Sequence, residues 1–179
     1  MNEALIEFYT DVGTDAEGRT HADILAFDDD TMEGCHDFIQ WLFPTATPSA
    51  YNPNAPLLDE ETIDNLKGDA AFEAKFRSAL NRIFKFWELD FGGFYPNNNH
   101  AQQFRIAPIT RKKFWMEYDD HNLLRMTRVM ESCALLGFTE TAQSLFQALL
   151  DTVKLEPSFY FIEPVNIYYW YNACHKRIN

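Results

Sequence analysis

Apolar residues recur at helical spacing along most of the chain, and the elements they predict are nearly all helices. Leu5, Ile6, Phe8 and Tyr9 mark a short opening helix, followed by a turn from Gly13 to Gly18 and a weaker helical stretch near Ala22 to Phe27. Asp30-Thr31 with Glu33 reads as a helix start, and Met32, Phe38, Ile39, Leu42 and Phe43 continue that helix until Pro44 stops it. Prolines at 44, 48, 53 and 56 push their predecessors toward extended geometry and predict an ordered surface loop.

Asp59-Glu60-Glu61 puts negative charge where the next helix begins, favoured by the exposed N–H groups of its first turn. The longest signal runs from Ala70 to about Leu89, with Phe72, Phe76, Leu80, Ile83, Phe84 and Trp87 on one face. Gly92-Gly93 and Pro96-Asn97-Asn98-Asn99 read as a loop, and a short helix is expected near Arg111 to Tyr118. Asp119 or Asp120 caps a helix ending at Gly137, and Thr139 caps another through about Leu155. Phe159-Tyr160-Phe161-Ile162 suggests a short extended segment, and Val165 to Cys174 a terminal helix with its rings turned inward. The pattern as a whole predicts an all-α class, a single compact multi-helix domain spanning 1–179.

Composition adds the character of the core. With 16 Phe, 8 Tyr and 4 Trp in 179 residues, the core is expected to be aromatic-rich. No run approaches the roughly 20 apolar residues of a membrane helix, and Met1-Asn2-Glu3 does not start like a signal peptide. The expectation is a cytoplasmic protein with no direct membrane insertion. Cys35, Cys133 and Cys174 match neither a disulfide framework nor a zinc spacing, so free thiols are expected.

Charge is uneven. Residues 1–64 hold 15 Asp/Glu against Arg19 alone, and residues 65–179 hold 12 acids against 14 Lys/Arg. A formal charge of −12 argues against nucleic acid as a partner, since phosphate binding needs a basic surface. The acidic first third would attract a cationic ligand or simply form a solvated surface.

Two segments carry the most information. The first is Met32-Glu33-Gly34-Cys35-His36-Asp37-Phe38-Ile39-Gln40-Trp41-Leu42-Phe43-Pro44, followed by Ser49, Asn52 and Ala55-Pro56. On a continuous helix Glu33, His36 and Gln40 would share one polar side. The second is His121-Asn122-Leu123-Leu124-Arg125-Met126-Thr127-Arg128, where His121, Arg125, Arg128 and Ser132 lie on one helix face. With these two motifs in this order, and Phe84-Lys85-Phe86-Trp87 between them, the chain resembles the opioid growth factor receptor conserved region over nearly its whole length. The resemblance implies a receptor that binds an enkephalin-type peptide, with an association with membranes or the perinuclear region.

The candidate ligand-binding residues are Glu33, His36, Asp37, Gln40 and Trp41 on the first motif and His121, Asn122, Arg125 and Arg128 on the second. A peptide amine would need a carboxylate, Glu33 or Asp37, with Trp41 and Phe38 as ring contacts. Alternatively, Arg125 and Arg128 with His36 and His121 would hold a small anionic ligand, or serve a cryptic enzyme. A third possibility is structural: the arginines pair with acids such as Glu33 or Asp37, and the histidines act as struts between helices. No nucleophile motif, phosphate loop, dinucleotide glycine pattern or HExxH helix is present in the sequence, so a non-enzymatic domain without cofactor or metal is expected. A protein partner is compatible with the same reading.

Overall fold

Helices early in the chain begin where a short polar side chain satisfies a backbone N–H that the helix itself leaves without a partner. Asn2, Thr20, Asp28 and Asp59 accept from Leu5, Asp23, Thr31 and Thr62, opening α1 (Glu3–Tyr9), α2 (His21–Leu25), α3 (Asp29–Gly34) and α5 (Glu60–Leu66). Between α3 and α5 lie α4 (Ile39–Leu42) and the proline-rich loop, and α6 (Ala70–Phe86) follows. The computed structural model describes residues 1–49, 51–96, 102–158 and 161–177, with the backbone alone at 92–96 and 102–103. Among these residues the protein is mostly α-helical, and no helix is long and apolar enough to cross a membrane.

The chain divides into two compact units, residues 1–86 and 87–177. In the first, rings are the main packing material, as the composition predicts. Phe8 meets Tyr9 and Trp41 at centroid distances of 5.5 and 5.4 Å, Tyr9 meets Phe72 at 4.8 Å, and Phe76 touches both Phe72 and Phe43 at 5.6 Å. The Tyr9 hydroxyl donates to the Leu42 carbonyl at 2.6 Å, so even this polar tip is satisfied inside. The proline-rich loop is held by a bridge between Thr45 and Leu57 and by Ser49, whose Oγ accepts from Asn52 N.

The helix expected from Asp30 to Phe43 is two helices. Gly34 weakens helix continuation, Cys35 turns extended at φ −94° and ψ 128°, and regular structure resumes only at Ile39. The apolar residues on either side keep helical spacing across the break, which is why their pattern concealed it.

In the second unit α7 (His121–Leu135) packs against both α8 (Thr139–Leu155) and α9 (Pro164–Cys174). Asp120 caps α7 as expected, and Gly137 ends it at φ +91°, with Phe138 N–H returning to the Cys133 carbonyl. Thr139 is the first residue of α8 rather than its cap; Phe138 holds that place without a side-chain bond.

The structure differs from three further expectations. The loop expected from Gly92 onward is an antiparallel hairpin of β1 (Phe91–Pro96) and β2 (Gln102–Ile106), while Asn97–Asn99 lie outside the described residues. Segment 111–118 forms turns, not a helix, fixed by the Trp115 indole donating to the Trp87 carbonyl at 2.9 Å. On α9 only Trp170 is fully buried among the rings expected to point inward; Tyr168, Tyr169 and Tyr171 are at least half exposed. Of the extended segment expected at 159–162, Phe159 and Tyr160 lie outside the described residues, and Phe161 is buried edge-on to Trp115.

The outer edge of β2 shows why a hairpin forms despite its glycines. Backbone N–H groups of Phe104 and Ile106, and of Ile109 beyond the strand, donate to hydroxyls of Thr141, Ser144 and Thr152 on α8, at 3.2, 2.7 and 3.2 Å. A strand edge that would otherwise lie open is thereby satisfied by side chains of one helix face.

Candidate functional site

The first-motif residues sit where the break after Gly34 turns the chain, so Glu33, His36 and Gln40 do not share a helix face. What the break builds is a polar knot. Arg19 donates from Nε to Asp15 at 2.6 Å and from Nη2 to Asp37 at 2.7 Å, and the Cys35 thiol donates to the same Asp37 oxygen at 2.9 Å. Burial alone would raise the Asp37 carboxyl, but Cys35 and Arg19 outweigh it and hold the group below its ordinary range. Burial likewise works against the Arg19 charge, and the bonds from Asp37 and Asp15 reverse that.

Trp41 and Phe38, expected as ring contacts for a ligand, are 6% and 0% exposed and belong to the aromatic core. Gln40 is buried; its Nε2 donates to the His36 carbonyl at 3.3 Å, and its Oε1 has no hydrogen-bond partner. His36 itself is exposed, so it does not serve as a buried strut, and Glu33 is half-buried.

On α7 the polar side is buried along with the apolar one. Asn122 is fully buried, and its Oδ1 accepts from the Trp87 indole at 3.0 Å and from Arg125 Nη1 at 3.2 Å. Arg125 is only 5% exposed. Arg128 is half-buried, and burial lowers it from the ordinary arginine value, with Glu131 opposing. His121 is also half-buried. Cys133 and Cys174 are buried free thiols; burial pushes Cys174 up to about 12 and Cys133 well above the ordinary range. Neither is a nucleophile in this state.

Sequence reasoning missed a cleft of about 680 Å³ in the second unit, in the range of small-ligand sites. Its long wall is one side of α8: Glu140, Gln143, Ser144, Gln147 and Asp151, at i, i+3, i+4, i+7 and i+11. Arg105 and Pro108 line it from the β2 side, and Phe146 and His175 complete it. That polar stripe was readable from the sequence, but as an ordinary solvated helix face. Only the placement of β2 beside α8 turns it into a wall.

None of the candidate residues named from the sequence lines this cleft. The cleft holds rings, amides and charges of both signs, whereas Asp37, Asn122 and Arg125 of the motifs are engaged in internal bonds.

No curated protein and no solved structure matches the chain. The family model of the opioid growth factor receptor (OGFr) conserved region matches residues 6–179. That span takes in both motifs, the hairpin and all the helices of the second unit, and the chain belongs to the OGFr conserved-region family.

Proposed function

We propose that this chain is a non-enzymatic binding domain with the receptor role for which its family is named, taking a short peptide of the enkephalin type. Family membership supports the ligand class. The observation that carries the reading is how the motif side chains are used. Asp37 is bound to Arg19, Trp41 sits in the ring core, and Asn122 joins Trp87 to Arg125. The two motifs build a scaffold, and the scaffold offers its remaining surfaces to a partner.

Charge points the same way. The first unit carries 17 Asp/Glu against 6 Lys/Arg over residues 1–86, a field that concentrates amine-bearing peptides near the protein. The alternative, a small anion held by Arg125 and Arg128, is disfavoured because Arg125 is closed to solvent and already donates to Asn122.

Calorimetric titration separates the two readings. Enkephalin should give a saturable signal that weakens by about ten-fold or more when its amine is acetylated, as loss of a charge-assisted bond requires. Heat from a panel of anionic metabolites, with none from enkephalin, would overturn the proposal.

A further inference from the structure

We infer that the cleft along α8 is a binding site for a short linear peptide, with its carboxylate at Arg105, a ring against Phe146 and its amine at Asp151. The inference rests on the peptide-binding reading above and gives it a place. The length of the cleft, the order of its charges and the ring between them match such a peptide.

Length comes first. Glu140 and Asp151 are eleven residues apart on one helix, which is about 16 Å of wall at 1.5 Å per residue. Five residues of extended chain span about the same distance at roughly 3.3 Å each. A pentapeptide fits along the wall without folding back.

Charge order comes from the bonds that set the register. Phe104 meets Thr141, Ile106 meets Ser144 and Ile109 meets Thr152, so β2 and the segment after it run alongside α8 in the same direction. Arg105, which is exposed, therefore lies by the first turns of α8. His175 joins it there, since its neighbour Cys174 donates from Sγ to the Ala142 carbonyl at 3.3 Å. The His175 Nδ1 donates to the Tyr171 carbonyl at 2.7 Å, which fixes the proton on Nδ1 and leaves Nε2 to accept from a peptide N–H. Asp151 is three turns further on. Both of its bonds, from Gln147 at 2.8 Å and Lys154 at 3.0 Å, end on Oδ1, leaving Oδ2 to accept from an ammonium.

Between the charged ends is Phe146, half-buried and edge-on to Tyr171 at 6.4 Å, a surface on which an aromatic side chain can rest. Exposed amides of Gln143 and Gln147 flank it, in reach of a peptide backbone. Glu140 at the Arg105 end balances that charge and disfavours a multiply charged anion there, so the wall suits a zwitterion.

The test is an NMR titration of the full chain, labelled with ¹⁵N, using enkephalin, its C-terminal amide and an unrelated zwitterionic pentapeptide with one aromatic residue. The proposal expects enkephalin to shift the amides of 104–109 and 140–151. Arg105→Ala should weaken the free acid about ten-fold while leaving the amide within about two-fold, and Asp151→Asn should weaken both. If enkephalin binds and shifts residues elsewhere, the cleft is wrong and the peptide-binding reading stands. If only the unrelated peptide shifts the cleft, the site stands and the enkephalin reading fails. Silence of the cleft toward all three peptides overturns the inference.

Discussion

Trp87 donates its indole N–H to Asn122 Oδ1 across 3.0 Å, and the same oxygen accepts from Arg125 at 3.2 Å. One fully buried amide thus anchors the first residue of the second unit to α7. Asn122→Leu keeps the volume and removes the acceptor, leaving a buried indole donor unmade, at a cost of about 1–3 kcal/mol. Urea denaturation followed by tryptophan fluorescence measures it. An unchanged midpoint would take this oxygen out of the account.

His21 supplies a pH dependence. It is 3% exposed, lies against the rings of Phe8 and Tyr9, and has Lys75 and Asp11 as its charged neighbours. Burial, with Lys75 adding to it, lowers its pKa from 6.5 to about 4. The unfolded chain therefore takes up the proton first as pH falls. The stability tied to neutral His21 is complete above 6.5 and declines as pH drops toward 4, by up to about 3 kcal/mol. An NMR titration of the His21 ring should show a midpoint near 4; one near 6.5 would show that the imidazole is not desolvated.

Two glycines should respond in opposite senses to alanine. A methyl at Gly34, in the last turn of α3, meets nothing within 4 Å, so Gly34→Ala should stabilise by about 0.5–1 kcal/mol through lower chain entropy. At Gly13 the new carbon would sit 2.8 Å from Glu7 Cβ and 3.3 Å from its backbone carbon. Gly13→Ala should lower the melting temperature, and the pair is read by thermal denaturation. A destabilised Gly34→Ala would mean that the break after α3 needs glycine itself.

The hydroxyls on α8 give a local test. Thr152 is fully buried, accepts from Ile109 N at 3.2 Å and donates to the Ala148 carbonyl at 2.7 Å. Thr152→Val preserves shape but strips the Ile109 N–H of its acceptor, costing about 1–3 kcal/mol. Hydrogen exchange at Ile109 should speed up more than at the helical amides around it. Uniform acceleration would instead report global destabilisation.

These particulars show what the sequence could and could not reveal. The helices α6, α7 and α8 were legible because their apolar periods are long and their ends are marked, as at Asp120 and Gly137. The break at Cys35 was not, because Met32, Phe38, Leu42 and Phe43 keep helical spacing across it while Asp37 finds its partner 18 residues back at Arg19. The hairpin was hidden for a related reason: the acceptors for the outer edge of β2 are hydroxyls 37 and 38 residues further on. The tyrosines of α9 carry polar tips that tolerate water, so ring content alone overstated their burial.

The site divides along the same line. Residue identity singled out Asp37, Trp41, Asn122 and Arg125, and each is in a specific contact; Trp41, Asn122 and Arg125 are buried, while Asp37 is half-buried against Arg19. The cleft along α8 depends on a strand that local pattern did not predict, so no reading of local pattern could have assembled it.

Our claim that the polar residues of the α7 motif are structural is decided at Arg125. In urea denaturation Arg125→Ala should lose at least about 2 kcal/mol, because a buried charged donor and its packing are removed together. Wild-type stability in this variant, with peptide binding abolished, would contradict the claim and return Arg125 to the ligand.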